Sequence, residues 1–206
     1  SRALHRTERP APSGLRGSAS NQGFQRHSPK RSTPNPLVSP SCGEGFGEGG
    51  ERTFDCADIY AGVEEAIGAF RARFANLHDK EALSRIRVHT KFVPDLEVLP
   101  KIDKAYVEKV IDTSLKRLGM ERLDIVQFHW WNYDVPRWLE TAAWLEELRK
   151  AGKILRIGGT NFDTARLVAM REAGVPMSSM QVQYSLLDRR PEKTLVKAAL
   201  DNDVAI

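Results

Sequence analysis

The segment LDIVQFHWWNYDVPRWLETAAWLEELRKAGKILRIGGTNFD, residues 123–163, decides the fold of this chain of 206 residues. It begins with a short apolar run at Leu123–His129, which is typical of a buried strand. Apolar residues then recur at helical spacing before Gly152 ends the helix, namely Trp138, Ala142, Leu145 and Leu148. A second apolar run follows at Ile154–Gly158. The segment therefore predicts two parallel strands joined by a helix.

The same alternation continues on both sides of this unit. Further strands are predicted at Arg52–Cys56, Arg85–Lys91 and Ser179–Gln183, and a last one begins at Val204. Amphipathic helices are predicted between them, with apolar faces at Val63, Ala66, Ile67, Phe70 and Phe74 and at Val107, Val110, Ile111, Leu115 and Leu118. Two more helices are predicted near the end of the chain, one from the N-cap Asp163 to about Glu172 and one near Glu192–Leu200, opened by Pro191.

Two α/β architectures share this rhythm, an open doubly wound sheet and a (β/α)₈ barrel. No GxGxxG follows the first strand and no GxxxxGK[ST] occurs in the chain, so the phosphate loops common in open sheets are missing. This favours a barrel. Because a complete barrel typically takes about 250 residues, we expect a partial (β/α)₈ (TIM) barrel that covers about strands 2–6 and the start of strand 7.

Composition separates residues 1–50 from a barrel domain at residues 51–206. Residues 1–42 hold seven Arg or Lys and one acid, so they carry +6, whereas the whole chain carries +4 and the rest −2. With few large apolar residues, residues 1–50 are expected to be a disordered Ser/Pro/Arg/Gly-rich tail. A transit peptide and a basic nucleic-acid-binding arm are the open alternatives. We expect a cytoplasmic protein, or a plastid or mitochondrial one if the tail is a transit peptide.

Several classes of protein are excluded by the residues that are missing. No apolar run approaches the roughly 18 residues that span a bilayer, so we expect no membrane partner. Cys42 and Cys56 are too few for a disulfide framework or a four-cysteine zinc site, and the five histidines lack paired metal spacing. We therefore expect no metal. The excess of basic charge belongs to the tail, so we expect no nucleic acid on the barrel domain.

Polar side chains stand at the end of strand after strand. In chain order they are Asp55 (with Tyr60 just beyond), Lys91, His129, Thr160, Asn161, Gln181 and Gln183. Any one of them alone could be an N-cap, a turn former or a rim residue. In a barrel, however, catalytic groups come from the C-terminal ends of several strands. Together these residues predict an active site at one mouth of the barrel.

Five ordered motifs in residues 52–206 resemble those of the aldo-keto reductases. They are FDCADIYAGVEEAIG (Phe54–Gly68), HTKF (His89–Phe92), LDIVQFHW (Leu123–Trp130), IGGTNFD (Ile157–Asp163) and MQVQYSLLDR (Met180–Arg189). The resemblance implies an NADPH-dependent oxidoreductase on a (β/α)₈ barrel. It also implies a monomer that reduces a small aldehyde or ketone to an alcohol.

The resemblance assigns roles residue by residue. In the family the catalytic Asp lies five residues before the catalytic Tyr, in D-x-A-x-x-Y, which matches Asp55 and Tyr60 rather than Asp58. The catalytic Lys and His match Lys91 and His129. The residues implied to bind the cofactor are Asp55, Thr160, Asn161 and Gln181.

The chemistry of carbonyl reduction explains these residue types. Hydride delivered to a carbonyl carbon leaves an alkoxide, which needs a proton and electrostatic stabilisation. A tyrosine hydroxyl, with an ordinary pKa near 10, is a reluctant donor at neutral pH unless an ammonium group stabilises the phenolate. We therefore expect Tyr60 to be the general acid and Lys91 to tune it. Asp55 would hold Lys91, and His129 would orient the carbonyl oxygen.

Two tryptophans and one histidine bear on the substrate. Trp130 and Trp131 follow His129 and are expected to form an aromatic wall of the substrate pocket. The alternative is that one or both pack the loop against the following helix. His129 favours carbonyl over carbon–carbon double-bond reduction, because the family's enone reductases have Glu in that position.

The chain departs from the family pattern in three places. Gly43–Gly50 stands where the family has a first strand and helix, and the chain stops at Ile206, inside a seventh strand. The family's nicotinamide-stacking aromatic and 2′-phosphate-binding residues lie beyond that point, so NADPH is not distinguished from NADH. We expect a fragment with weak or no activity alone. His89 is a third departure, on the same strand face as Lys91.

A second class of function is kept open. The chain could be a non-catalytic aldo-keto-reductase-like module that senses a cofactor or binds a partner. An unrelated phosphate-binding barrel is a third reading, although no motif supports it.

Overall fold

Five parallel strands form one sheet in the structure, a computed structural model that describes residues 52–206. The strands lie in chain order, and their bounds are β1 Arg52–Asp55, β2 Ile86–Phe92, β3 Leu123–His129, β4 Ile154–Thr160 and β5 Met177–Gln181. The sheet curls into half of a barrel. The prediction of a partial (β/α)₈ barrel is confirmed.

Helices connect the strands and cover the outer face of the sheet. They are α1 Val63–Ala75, α2 Lys80–Ser84, α3 Lys104–Leu118, α4 Trp138–Lys150, α5 Thr164–Glu172 and α6 Leu195–Asp201, with short 3₁₀ turns at Leu99–Lys101 and Arg190–Lys193. An aspartate carboxylate accepts a backbone N–H at the start of three of them, at Asp79, Asp103 and Asp163. Such caps satisfy amides that have no partner inside the helix. The N-cap predicted at Asp163 is confirmed.

The fifth strand begins two residues earlier than the sequence predicted. Ile157 pairs with Met177 but Gly158 pairs with Ser179, so Ser178 is an extra residue on β5. This is a β-bulge, and the Ser178 hydroxyl donates to the carbonyl of Ile157 at 2.9 Å. The bulge places Ser179 and Gln181 on the inner face, and the strand ends at Gln181 rather than Gln183.

The last helix and the last strand also differ from their predictions. Thr194 has φ −144° and ψ −36°, which is outside the helical region and separates the 3₁₀ turn at Pro191 from α6. The helix predicted at Glu192–Leu200 therefore begins at Leu195. Beyond it, Ala205 pairs with Ser179 and accepts a hydrogen bond from the amide of Met180 at 2.8 Å. In place of the strand predicted from Val204, the structure has an isolated bridge at Ala205.

Side-chain alternation along the strands separates an apolar outer face from a polar inner face. On the outer face Phe128 packs with ring centroids 6.1 Å from Phe92, 5.9 Å from Trp130 and 5.2 Å from Phe162. These four rings are fully or almost fully buried beneath the helices. The residues one position away along the strands, including Lys91 and His129, consequently point to the concave inner face.

Some predictions lie outside the described residues. They are the tail at 1–50, its transit-peptide and nucleic-acid alternatives, Cys42, and the compartment that depends on the tail. Within residues 52–206, none of the helices combines the length and the apolar character that crossing a bilayer requires.

Candidate active site

Lys91 is the centre of the candidate site, on the inner face near the C-terminal end of β2. Its side chain is only 9 % exposed, and its ammonium nitrogen forms a salt bridge with the carboxylate of Asp55 at the end of β1. The same nitrogen donates to the carbonyl oxygen of Cys56 at 3.1 Å. A buried ammonium needs such partners, because its desolvation is costly. The two residues expected to pair are brought together.

Tyr60 lies on the turn that links β1 to α1. The Lys91 ammonium nitrogen is 5.8 Å from the centroid of its ring. The amide of Tyr60 donates to the carbonyl of Ala57, and the amide of Val63 donates to the carbonyl of Tyr60, both at 3.1 Å. The Tyr60 residue is 46 % exposed. The structure thus places the phenol, the ammonium and the carboxylate in one group.

Gln181 closes this group from the far edge of the sheet. Its amide nitrogen donates to the second oxygen of the Asp55 carboxylate at 3.0 Å. Its backbone carbonyl accepts from the amide of Asn161 at 2.9 Å, and it is the register partner of Thr160. Asn161 has φ +60°, a left-handed conformation that asparagine tolerates better than most residues. Thr160, Asn161 and Gln181 therefore form one continuous rim.

His129 lies on the strand next to Lys91 and one step further towards the mouth. Lys91 is in register with Gln127. Given the spacing between strands and the rise per residue, the α-carbons of Lys91 and His129 are therefore roughly 8 Å apart. Neither buried ring nitrogen of His129 makes a well-formed hydrogen bond. Burial lowers the pKa of His129, and the nearby backbone of Thr160 opposes that effect. Burial therefore favours the neutral form of the ring, in which one nitrogen carries a proton and the other accepts.

The two tryptophans after His129 go to different places. Trp131 packs edge-to-face on the His129 ring, with centroids 4.6 Å apart, and its indole N–H donates to the carbonyl of Pro94 at 2.9 Å. Trp130 is 2 % exposed in the outer core, and its indole N–H donates to the carbonyl of Val135. The structure does not bring Trp130 to the site, because a side chain next to His129 points to the other face of the strand.

The concave face carries further polar atoms that lack a hydrogen-bond partner within the described residues. They are buried oxygens of Gln127, Thr160 and Ser179, beside the ring nitrogens of His129. Buried polar groups are rarely left unpaired unless they bind a ligand or water. A Cβ on Gly158 would lie 2.5 Å from the Ser179 hydroxyl, so a side chain at this position would collide with Ser179 on the concave face. These atoms are available to bind a polar ligand or water.

Gln127 and Ser179 are not among the strand-end residues from which the sequence predicts the site. The available signal was alternation, because Gln127 is two residues before His129 on the same face of β3. His89 was noticed and does share the inner face: burial lowers its pKa, Asp55 and Asp124 oppose this, and Lys91 adds to it. Among residues 52–206 no group of three His, Cys, Asp or Glu side chains could hold a metal ion.

Fold and site together define the class: an α/β barrel with its polar groups at the C-terminal ends of parallel strands. The chain belongs to the aldo/keto reductase family, whose model matches residues 44–206.

Curated relatives agree with this membership. The chain is 35 % identical over 102 residues to an aldo-keto reductase, YhdN, of Bacillus subtilis, covering 50 % of this chain and 30 % of that protein. It is 31 % identical over 118 residues to the NADH-specific methylglyoxal reductase of Escherichia coli, covering 55 % of this chain and 35 % of that protein. This chain thus spans about a third of the length of these two relatives.

Solved structures match the fold over a longer stretch. An aldo/keto reductase from Klebsiella pneumoniae in complex with NADP and acetate is 27 % identical, with a TM-score of 0.59 over 74 % of this chain and 50 % of that chain. A thermostable aldo-keto reductase in complex with the inhibitor epalrestat is 28 % identical, with a TM-score of 0.60 over 73 % and 52 %.

Proposed function

We propose that this site reduces the carbonyl group of a small aldehyde or ketone to an alcohol, with hydride from NADPH and a proton from Tyr60. The observation that carries the proposal is the position of Lys91. Its ammonium pairs with Asp55 and lies 5.8 Å from the centroid of the Tyr60 ring. A cation held beside a phenol stabilises the phenolate left when the proton departs.

Asp55 would act by keeping Lys91 charged and in place. The ammonium is nearly buried, and a buried cation without a counter-ion carries a large desolvation cost. The second oxygen of Asp55 accepts from Gln181, which fixes the carboxylate plane. Lys91 is then held by the carboxylate on the side of β2 where the Tyr60 ring lies.

Residues of the rim would hold the nicotinamide ring. Thr160, Asn161 and Gln181 present hydroxyl and amide groups of the kind that bind a carboxamide, and Asp55 borders the same surface. When bound, the cofactor supplies the hydride. The protein contributes the orientation of the ring against the substrate and the exclusion of water.

His129 would orient the substrate by donating to its carbonyl oxygen. Burial favours the neutral form of its ring, the ring nitrogens have no well-formed hydrogen bond within the described residues, and Trp131 packs edge-to-face on the ring. An N–H donor placed at the oxygen that becomes negative stabilises the transition state. Tyr60 then delivers its proton to that same oxygen.

Small substrates are the first to test. Trp131, 48 % exposed beside His129, would wall the substrate side, whereas Trp130 is held in the core. One relative is named a methylglyoxal reductase, so methylglyoxal is the first probe, with NADPH and NADH compared.

We also propose that the protein is a monomer. We expect a low rate of reduction from these 206 residues, because they match only about half of the length of the solved chain.

The test is the oxidation of NADPH with methylglyoxal and a panel of aldehydes by wild type and Tyr60→Phe. The matched control is Tyr184→Phe, since Tyr184 is similarly exposed at 48 % but bonds to Glu192. We expect Tyr60→Phe to lose roughly 10²–10⁴-fold in kcat and the control to match wild type. Equal rates for Tyr60→Phe and wild type would contradict the proposal. NADPH binding without any turnover would favour a cofactor-sensing module.

A further inference from the structure

We propose that Asp58 is a positioning residue that fixes the turn bearing Tyr60 against the end of β2, which bears Lys91. The proposal rests on the proposed function and adds a residue to its machinery. Asp58 touches neither the substrate side nor the ammonium group. It acts through the backbone of the two segments that carry the reacting pair.

Asp58 is bound to the end of β2, at Lys91 itself and directly after it. Its amide donates to the carbonyl of Lys91 itself at 3.1 Å. Its carboxylate oxygens accept from the amide of Val93, two residues further on, at 3.2 and 3.3 Å. One residue of the turn therefore holds the chain that immediately follows the Lys91 α-carbon.

A third contact anchors Asp58 from the helix layer. Its carbonyl accepts from the Arg117 guanidinium at 3.2 Å. That guanidinium lies 3.4 Å from the carboxylate of Glu64, which is completely buried, and 3.0 Å from that of Glu65. Glu64 in turn accepts from the Thr90 hydroxyl at 2.7 Å. This network therefore also contacts β2 at the residue before Lys91.

The turn is too short to absorb a shift at Asp58. Tyr60 is two residues away, and hydrogen bonds from Tyr60 to Ala57 and from Val63 to Tyr60 close the turn on both sides. A displacement of Asp58 therefore moves the Tyr60 phenol relative to the Lys91 ammonium. Misplacement by about 1 Å can lower a rate by roughly 100-fold.

The carboxyl group of Asp58 is costly where it stands. Burial raises its pKa to about 7, the charges of Glu64 and Asp95 add to the rise, and the amides of Val93 and Ile59 oppose it. An asparagine could accept the Val93 N–H without this cost. A charged acceptor makes a stronger hydrogen bond than a neutral one, and costly groups of this kind concentrate at functional sites.

The experiment compares wild type, Asp58→Asn, Asp58→Ala and the control Asp103→Ala in the full chain. Asp103 also accepts a backbone N–H, that of Tyr106 at 2.8 Å, but it caps α3 away from the site. For each protein we would measure kcat and KM with methylglyoxal and NADPH, and amide hydrogen exchange at Val93 and residues 57–62.

We expect kcat to fall about 10- to 100-fold in Asp58→Ala and about 3-fold in Asp58→Asn, with KM nearly unchanged. Exchange at Val93 and in residues 57–62 should be at least about 10-fold faster in Asp58→Ala and normal in Asp103→Ala. Normal exchange and normal kcat in Asp58→Ala would overturn the proposal, as would a loss of kcat fully explained by unfolded protein. If wild type reduces no aldehyde, the proposed function fails, and the exchange rates alone decide whether Asp58 joins the two segments.

Discussion

The ammonium nitrogen of Lys91 lies 5.8 Å from the centroid of the Tyr60 ring, although the two residues are on different βα units. The salt bridge of Lys91 to Asp55 holds the cation on that side of β2. A single buried cation can therefore serve a carboxylate and a phenol together. The predictions below test this arrangement and the packing that supports it.

Replacing Lys91 by Met should abolish most of the reductase activity while the protein stays folded. The phenolate would lose its cation, and we expect kcat to fall roughly 10³-fold. Cofactor binding, measured by fluorescence titration, should change little, because Lys91 bonds to Asp55 and Cys56 within the site. The control is Lys153→Met, which breaks a surface pair with Asp112 and should leave kcat unaltered. Normal turnover by Lys91→Met would contradict the assigned role.

Asp58 should make the stability of the protein depend on pH. Its pKa is about 7 in the folded state against an ordinary value of 3.8. Between about pH 4 and 7 the folded state keeps a proton that the unfolded state has lost, so this group favours folding less as the pH rises. Asp58→Asn removes that dependence. We would measure the free energy of unfolding in urea for both proteins. The value for Asp58→Asn minus that for wild type should rise by roughly 4 kcal/mol between pH 4 and pH 8. An unchanged difference would show that the carboxyl group titrates normally.

The pair of Glu64 and Arg117 should show strong coupling. Glu64 is completely buried, and Arg117 is the cation beside it. Arg117→Met leaves the carboxylate buried without its charge partner, which costs roughly 3–5 kcal/mol. The double variant with Glu64→Gln should recover most of that loss. Urea midpoints of both single variants and the double variant measure the coupling, and additive losses would contradict it.

Gly68→Ala should destabilise the protein, against the usual trend in helices. Alanine normally stabilises a helix interior by about 1 kcal/mol relative to glycine. Here a Cβ would lie 2.1 Å from the carbonyl oxygen of Arg117, so α1 and α3 would have to separate. We expect a loss of roughly 1–3 kcal/mol. The control Ala69→Gly, at an exposed position of the same helix, should lose about 1 kcal/mol by propensity alone. A gain of stability in Gly68→Ala would disprove the close contact.

Much of the fold could be predicted from the sequence, because local periodicity specifies which residues form a buried strand or a helix face. The strand at Leu123–His129 was predicted with its exact bounds. Alternation also places Lys91 and His129 on one face. Features that depend on tertiary pairing could not be predicted. The bulge at Ser178 arises from the register between β4 and β5, which no local pattern encodes.

The candidate site shows the same division. Its strand-end residues could be predicted because parallel strands bring their ends to one edge. Trp130 lies in the core, as alternation from His129 predicts if the extended chain continues one residue beyond β3. Asp58 was passed over because its partners are backbone groups of β2 and a guanidinium on α3, 59 residues away. Such contacts leave no spacing signal.

The most direct measurement of the central claim is the fate of the hydride and its dependence on Tyr60. Methylglyoxal would be reduced with NADPH that carries two deuterium atoms at C4, and the product analysed by mass spectrometry and NMR. We predict that one deuterium appears on the new carbinol carbon with wild type, and that Tyr60→Phe forms this product at least about 100 times more slowly. No deuterium on that carbon, or the same rate with Tyr60→Phe, would contradict the account.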